Sequence, residues 1–266
     1  LLSPPQRFGC TVGADLCVCP GLGVQPTTRA DTQVCPYTDL QTAIGTPYVL
    51  SYAGRNLWLF PAIETASAAG KPLALHPTNP HYFFFRGSPT VIITSGEHYG
   101  AVMNLDFDYV RYLDTLRRDG MNHTRMFTGA AYVEPQGAFN IERNSMAPAP
   151  GRYIAPWARS ATGGYANGGN KFDLSKWDEN YFRRLKDFIA QAGKRGIIVE
   201  VNLFCPFYGD AQWKLSPFNA NNNVNGLGNV GRLDVYTLDK HGGLLEIQEL
   251  FVRRIVAELK DFDNIF

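Results

Sequence analysis

From residue 90 to residue 266 the chain repeats one pattern, a short apolar run followed by an amphipathic helical period. Runs at 90–94, 121–127, 197–204 and 264–266 read as strands, and 104–119, 177–192 and 244–260 read as the helices between them. In the first helix Phe107, Val110, Leu113 and Leu116 fall on one face, with Gly120 as the stop. In the second, Ser175 or Asp178 supplies the cap, Tyr181, Leu185, Phe188 and Ala192 form the stripe, and Gly193 and Gly196 end it. The third carries Phe251, Ile255, Val256 and Leu259. Such alternation predicts a parallel sheet of βαβ units, with strands near 90–95, 121–127 and 197–203 as neighbours in that order. Thr90-Val91-Ile92-Ile93-Thr94 is β-branched throughout, the pattern of a strand buried on both faces. Ahead of it, His81-Tyr82-Phe83-Phe84-Phe85 and the turn Arg86-Gly87-Ser88-Pro89 read as the first arm and bend of a hairpin.

Link lengths then locate the functional face. Each helix-to-strand link is a few residues, whereas 128–174 and 205–243, both strand-to-helix links, far exceed the usual range of about 2–6 residues. Long loops therefore leave the C-terminal ends of strands, the edge that carries the site in barrels and open α/β sheets alike. An open nucleotide-binding sheet needs a glycine-rich phosphate loop after its first strand. Thr94-Ser95-Gly96-Glu97-His98-Tyr99-Gly100 has the wrong glycine spacing and an acid where an anion would sit, and no GxxxxGK[ST] occurs. This argues against the dinucleotide fold.

Bulk properties narrow the partners. A formal net charge of +1 supplies no field to recruit nucleic acid or an acidic membrane surface, and no apolar run reaches the ~20 residues of a bilayer span. Aromatic residues make up 13% of the chain and many lie in polar, glycine-rich stretches, which suits a wet cleft for flat hydroxylated ligands or, read residue by residue, anchors of loops onto a core. Residues 1–74 form a segment rich in Cys, Pro and Gly with no sustained period and no assigned fold. Four of its cysteines (Cys10, Cys17, Cys19, Cys35), if paired, imply an oxidising compartment, secreted or periplasmic. Their spacing lacks the partner pairs of a zinc site, and the histidines show no His-x-His, so no metal or organic cofactor is expected. The chain opens on Leu1 without a signal-peptide pattern and stops at Phe266 inside a strand-like run, so both ends read as cuts.

The stretch Asn79-Pro80-His81-Tyr82-Phe83, the segment Arg86-Gly87-Ser88-Pro89-Thr90, the strand into Gly96-Glu97-His98-Tyr99, and the 108–120 helix followed by Met121-Asn122-His123-Thr124-Arg125 resemble the opening of a cellulase-like barrel. The similarity is to the clan of retaining (β/α)₈ TIM-barrel glycoside hydrolases, nearest its family-5-like and cellulase-like members, and covers about residues 75–266. It implies the N-terminal half of a catalytic barrel, truncated after about three and a half βα units, acting on O-glycosidic bonds of a β-linked poly- or oligosaccharide with retention. Two carboxylates about 5–5.5 Å apart perform that chemistry. The resemblance puts the acid/base glutamate in an Asn-Glu pair at the end of the fourth strand and the nucleophile on the seventh, both beyond Phe266. Many members also end the third strand in histidine, where this chain has Asn202-Leu203-Phe204-Cys205-Pro206.

Within the chain the resemblance gives supporting roles. Arg125 ends the second strand, where a cation orients and ionises the nucleophile; the other reading is an ion pair to Glu200. Glu97 and His98 end the first strand, either bonding sugar hydroxyls or bracing the rim, and Tyr99 either stacks on a sugar or fills the rim. Glu200, Asn202 and Phe204 share one strand face. Glu200 needs a partner there, and Arg125 is the expected one. Trp157, Tyr208 and Trp213 are candidate sugar platforms, with Tyr132, Tyr153, Tyr165, Phe207 and Tyr236 as further loop aromatics. The run Asn219-Ala220-Asn221-Asn222-Asn223-Val224-Asn225-Gly226 reads as a polar, turn-rich loop, either binding hydroxyls or, by default, simply solvated. Two rivals stay open: a different barrel hydrolase or lyase, and a catalytically silent carbohydrate-binding protein on the same barrel.

Overall fold

The computed structural model describes residues 70–94, 98–129, 134–135 and 137–266, and the backbone of 48–52 and 55–59. Cys10, Cys17, Cys19, Cys35, Glu97 and Tyr132 lie outside the described residues. The chain divides into two units, 1–67 and 68–266. In the first, β1 (Tyr48–Tyr52) and β2 (Arg55–Leu59) form an antiparallel hairpin in which Tyr48 faces Leu59 and Tyr52 faces Arg55.

The second unit opens with a small antiparallel sheet, β3 (Ala74–Leu75), β4 (Phe83–Phe85) and β5 (Ser88–Thr90), in that order. The expected hairpin is present, but its second arm ends at Thr90. Residues 91–94 form no ladder strand, and Val91 and Ile93 are exposed rather than buried on both faces. Asn122 explains the difference. Its side chain donates to the Val91 carbonyl at 2.8 Å and accepts from the Ile93 N–H at 2.7 Å, so an amide side chain takes the place of the backbone ladder. The direction is nevertheless parallel: the Asn122 N–H meets the Ile93 carbonyl, and the His98 N–H meets the Arg125 carbonyl further along.

Helix α1 is Tyr109–Arg118, shorter than the periodicity suggests, because the Asp108 carboxylate accepts the Arg111 N–H and fixes the start there. Leu113 and Leu116 are buried, while Phe107 precedes the helix and Val110 is largely exposed. Gly120, at φ 78°, lets the Met121 N–H return to the Leu116 carbonyl and its own N–H to Arg117, a left-handed stop that only glycine adopts cheaply. The chain passes directly into β6 (His123–Phe127). Helix α2 (Glu179–Lys194) ends the same way at Gly196, with Ile197 N–H returning to Ala192, and feeds β9 (Ile198–Asn202). Strands β6 and β9 are parallel, with Arg125 opposite Glu200 and Phe127 opposite Asn202. Residues 264–266 continue the order on the far side of β9: Val199 N–H reaches the Asn264 carbonyl, and Val199 and Ile265 form a parallel bridge. Among the described residues this is an open α/β arrangement, not a closed barrel.

Asp178 rather than Ser175 caps α2; its carboxylate accepts the Asn180 N–H at 2.9 Å, while Ser175 lies in the preceding strand, Asn170–Trp177. Asp178→Ala should cost about 1 kcal/mol of unfolding free energy, and Asp178→Asn much less, in urea titrations at neutral pH. Equal stability of wild type and the alanine variant would show that the cap contributes nothing. The stripe Tyr181, Leu185, Phe188, Ala192 is buried as the period requires, each large apolar side chain contributing about 1.5–3 kcal/mol by leaving water. Helix α2 packs on α1, on β9 and on α4 (Leu245–Leu259). In α4, Phe251, Ile255 and Leu259 are buried, but Val256 points outward into an apolar groove of about 200 Å³ that Leu259, Ile265 and Phe266 also line.

The two long links are not loops throughout. The first holds an antiparallel hairpin, β7 (Trp157–Gly163) and β8 (Asn170–Trp177), and the second a single helical turn and a half, α3 (Asp210–Leu215). The asparagine run 219–226 joins them. Asn222 and Asn223 are buried, the Phe172 N–H of β8 donates to the Asn222 carbonyl, and the Val224 N–H donates back to Phe172. The centre of this run is a hydrogen-bonded plug rather than solvated loop, because the Asn222 and Asn223 amides satisfy backbone groups that the tight turns leave unpaired, while Asn221 and Val224 stay exposed.

Candidate functional site

Alternation along β6 sorts its side chains onto two faces. Thr124 meets the helix layer, its hydroxyl 2.7 Å from that of Tyr112 in α1, and Met126 is buried with it. His123, Arg125 and Phe127 take the opposite face. There Glu200 sits between the Arg125 guanidinium and the His123 ring, with one oxygen 3.7 Å from Arg125 Nη1 and the other 3.7 Å from His123 Nε2. Burial pushes the His123 ring down from its ordinary value, and Glu200 opposes this only in part. The ion pair to Glu200 is therefore present, and Glu200 lies mid-strand rather than at the edge.

Arg125 reaches past Glu200 to the C-terminal edge. Its guanidinium lies 5.8 Å from the Phe127 ring centre, and Phe127 stacks under Tyr99 at 4.4 Å and 14°. Tyr99 is thus a half-buried aromatic layered on the strand end. The neighbouring loop brings Cys205 and Tyr208. Cys205 Sγ is 3.9 Å from the Tyr208 hydroxyl, and Tyr208 itself is 69% exposed. Burial, then the adjacent Tyr208, Cys205 and Glu134, push the Tyr99 hydroxyl up. Burial also pushes the Cys205 thiol up, against the contact with Tyr208 and the Arg125 charge. Beneath this surface Tyr236 donates to the Cys205 carbonyl at 3.3 Å and stacks on Phe207, which anchors the loop. The edge is thus aromatic and polar together, with Asn202 from β9 beside Phe127 and its amide oxygen buried without a partner among the described residues.

Solved structures with a similar chain course are glycoside hydrolases by description. A candidate glycoside hydrolase from Bacteroides vulgatus has 18% identity and a TM-score of 0.48, covering 80% of this chain and 34% of its own. A family 5 glycoside hydrolase from the same organism has 16% identity and a TM-score of 0.39, covering 74% and 32%. A family 5 mannosidase from Rhizomucor miehei has 13% identity and a TM-score of 0.38, covering 71% and 43%. This chain therefore spans about a third of the first two. No family model and no curated protein matches the sequence.

Of the residues singled out from the sequence, the fold gathers Tyr99, Arg125, Asn202 and Tyr208 at one edge. It takes others away. Trp157 is buried against Trp177, Phe218 and Phe251, with the Phe218 ring 5.0 Å away, so it has no face free for a sugar. Trp213 is buried with its ring 5.0 Å from Phe207 and is an anchor of the loop, not a platform. His98 stacks on Phe107 at 3.7 Å and places Nε2 2.9 Å from Ser145 Oγ. Burial holds its pKa down at about 4, so the ring is a neutral brace of the rim. Tyr153 and Tyr165 lie against Phe172 and under Arg159, inside the core.

One residue at this edge escapes sequence reasoning. Glu134 is buried, and neither carboxylate oxygen has a hydrogen-bond partner among the described residues. A signal was available, because Glu134 is the one charged residue between Arg125 and Glu142.

Proposed function

We propose that this chain forms the substrate-positioning part of a glycosidase acting on β-linked oligo- or polysaccharides, on a (β/α)₈ barrel of which residues 75–266 supply the first half. The observation that carries this reading is the convergence of Arg125, Tyr99, Asn202 and exposed Tyr208 on the C-terminal edge of β6 and β9, on the face away from the helices. That edge is where α/β enzymes of this layout bind ligand. Sugars need what it offers: aromatic faces for the C–H side of a pyranose, and fixed amide and guanidinium groups for hydroxyls.

Retaining hydrolysis needs a carboxylate nucleophile and a carboxylic acid in close opposition. This reading gives Glu200 neither role, since it pairs with Arg125 below the edge. In this proposal the catalytic pair lies outside residues 1–266, as the resemblance to retaining barrels implies, and Arg125 orients the nucleophile. Without the pair, general acid assistance worth about 10²–10⁴-fold and the covalent route are both missing. Residues 1–266 are thus expected to bind cellotriose, mannotriose or xylotriose in calorimetric titration and to release no aglycone from chromogenic β-glucosides, β-mannosides or β-xylosides. Turnover that vanishes on Glu200→Gln would place the catalytic pair inside the chain and overturn this map. Absence of any saccharide binding would remove the carbohydrate reading itself.

A further inference from the structure

Three acceptor oxygens at this edge are buried and have no donor among the described residues: both carboxylate oxygens of Glu134 and the amide oxygen of Asn202. Native interiors rarely leave such groups unpaired, and a desolvated carboxylate is the most costly of them. Glu134 keeps this condition in a stretch that has no other charge, from Met126 to Ile141. It also sits close enough to the edge for its charge to act on the Tyr99 hydroxyl and the Cys205 thiol.

We propose that Glu134 is a ligand-binding carboxylate, and that with Asn202 it forms a subsite accepting hydrogen bonds from the hydroxyl groups of a neutral sugar ring. The proposal rests on the carbohydrate reading above and adds a residue and a recognition chemistry to it. Unpaired acceptors match a donor-rich ligand: vicinal hydroxyls present two O–H groups at the spacing of the two oxygens of one carboxylate, and a third reaches the amide. Glu134 offers two unpaired acceptor oxygens to the one of Asn202, so it sets affinity more than Asn202 does. A hard cation is the competing occupant. It would need six to eight oxygen ligands, and no group of three or more His, Cys, Asp or Glu side chains stands ready to hold one among the described residues.

A group kept for a ligand has a signature that a structural group lacks, because its removal relieves the empty protein while weakening the complex. Glu134→Gln and Glu134→Leu in the full chain should unfold at the same temperature as wild type or higher. Both should bind the best of cellotriose, mannotriose and xylotriose about 10- to 100-fold more weakly, the loss expected for a hydrogen bond to a charged group. A clear fall in melting temperature for Glu134→Gln would mean that the carboxylate has a structural partner, and would overturn the proposal. Undiminished sugar affinity in both variants would overturn it too, while leaving the carbohydrate reading in place. If wild type binds none of the three sugars, that reading falls and this one with it. Calcium chloride alone, if it raises the melting temperature of wild type but not of Glu134→Leu, would assign the site to a cation instead.

Discussion

Replacing Asn223 by alanine is expected to destabilise the chain by about 3–5 kcal/mol, as the loss of several buried polar contacts at once. The side chain is 3% exposed and uses both ends. Its nitrogen donates to the carbonyls of Pro217 at 3.2 Å, Asn219 at 3.0 Å and Leu227 at 3.0 Å. Its oxygen accepts the N–H groups of Asn225 at 3.1 Å and Leu227 at 3.2 Å. Alanine removes the partner of all five backbone groups, the buried Pro217 carbonyl among them, and the cost of an unsatisfied buried group exceeds the benefit of making one bond. Asn222 next to it does similar work, taking the N–H of Ala166 and donating to Lys214 and Ser216, so the plug couples the β7–β8 hairpin to the loop after β9. Exposed Asn221 provides the control, with a change within about 0.5 kcal/mol. Urea midpoints at unchanged m value test both. A near-neutral Asn223→Ala would show that the loop is held by something other than its asparagines.

Trp157→Ala is the second large effect, about 3–5 kcal/mol, the cost of emptying an aromatic site in a close-packed core. Its ring stands among Trp177, Phe218 and Phe251, which bring β8, the residue just before the asparagine run and α4 together. Its indole N–H has no partner among the described residues, so Trp157→Phe recovers part of its smaller volume by removing an unpaired donor, and should cost about 1 kcal/mol. The two aromatics then separate by readout. Tyr208→Ala leaves stability within about 0.5 kcal/mol and weakens saccharide binding, whereas Trp157→Ala lowers stability and leaves the affinity of the folded fraction intact. Affinity lost at Trp157 without loss of stability would return it to the surface as a sugar platform.

The element order was readable because its causes are local. Helical period, an Asp at the start and a glycine at the stop act within four or five residues, and α1 and α2 with the strands that follow them appear close to where those signals put them, while α4 follows from its period alone. The pairing of Arg125 with Glu200 was readable as well, since a carboxylate in an apolar strand needs a cation on the adjacent strand and the register supplies one. Where local signals were misleading, a distant group had intervened. Val91 and Ile93 look like a two-sided buried strand, but the Asn122 side chain takes over the ladder and leaves them exposed. Val256 fits the α4 stripe and yet faces a groove.

By itself, then, the sequence determined the succession of βα units and the edge from which the long loops leave, because both follow from periodicity and link length. Only the tertiary structure decided which loop side chains reach that edge. Trp157 and Tyr208 look alike as aromatics in polar loops, and one is core while the other is exposed, since burial depends on partners such as Phe251 far along the chain. Asn223 and Glu134 are equally polar in the sequence. One is enclosed by backbone groups that need its amide, and the other is enclosed without a donor, a distinction that exists only once the chain has packed around them.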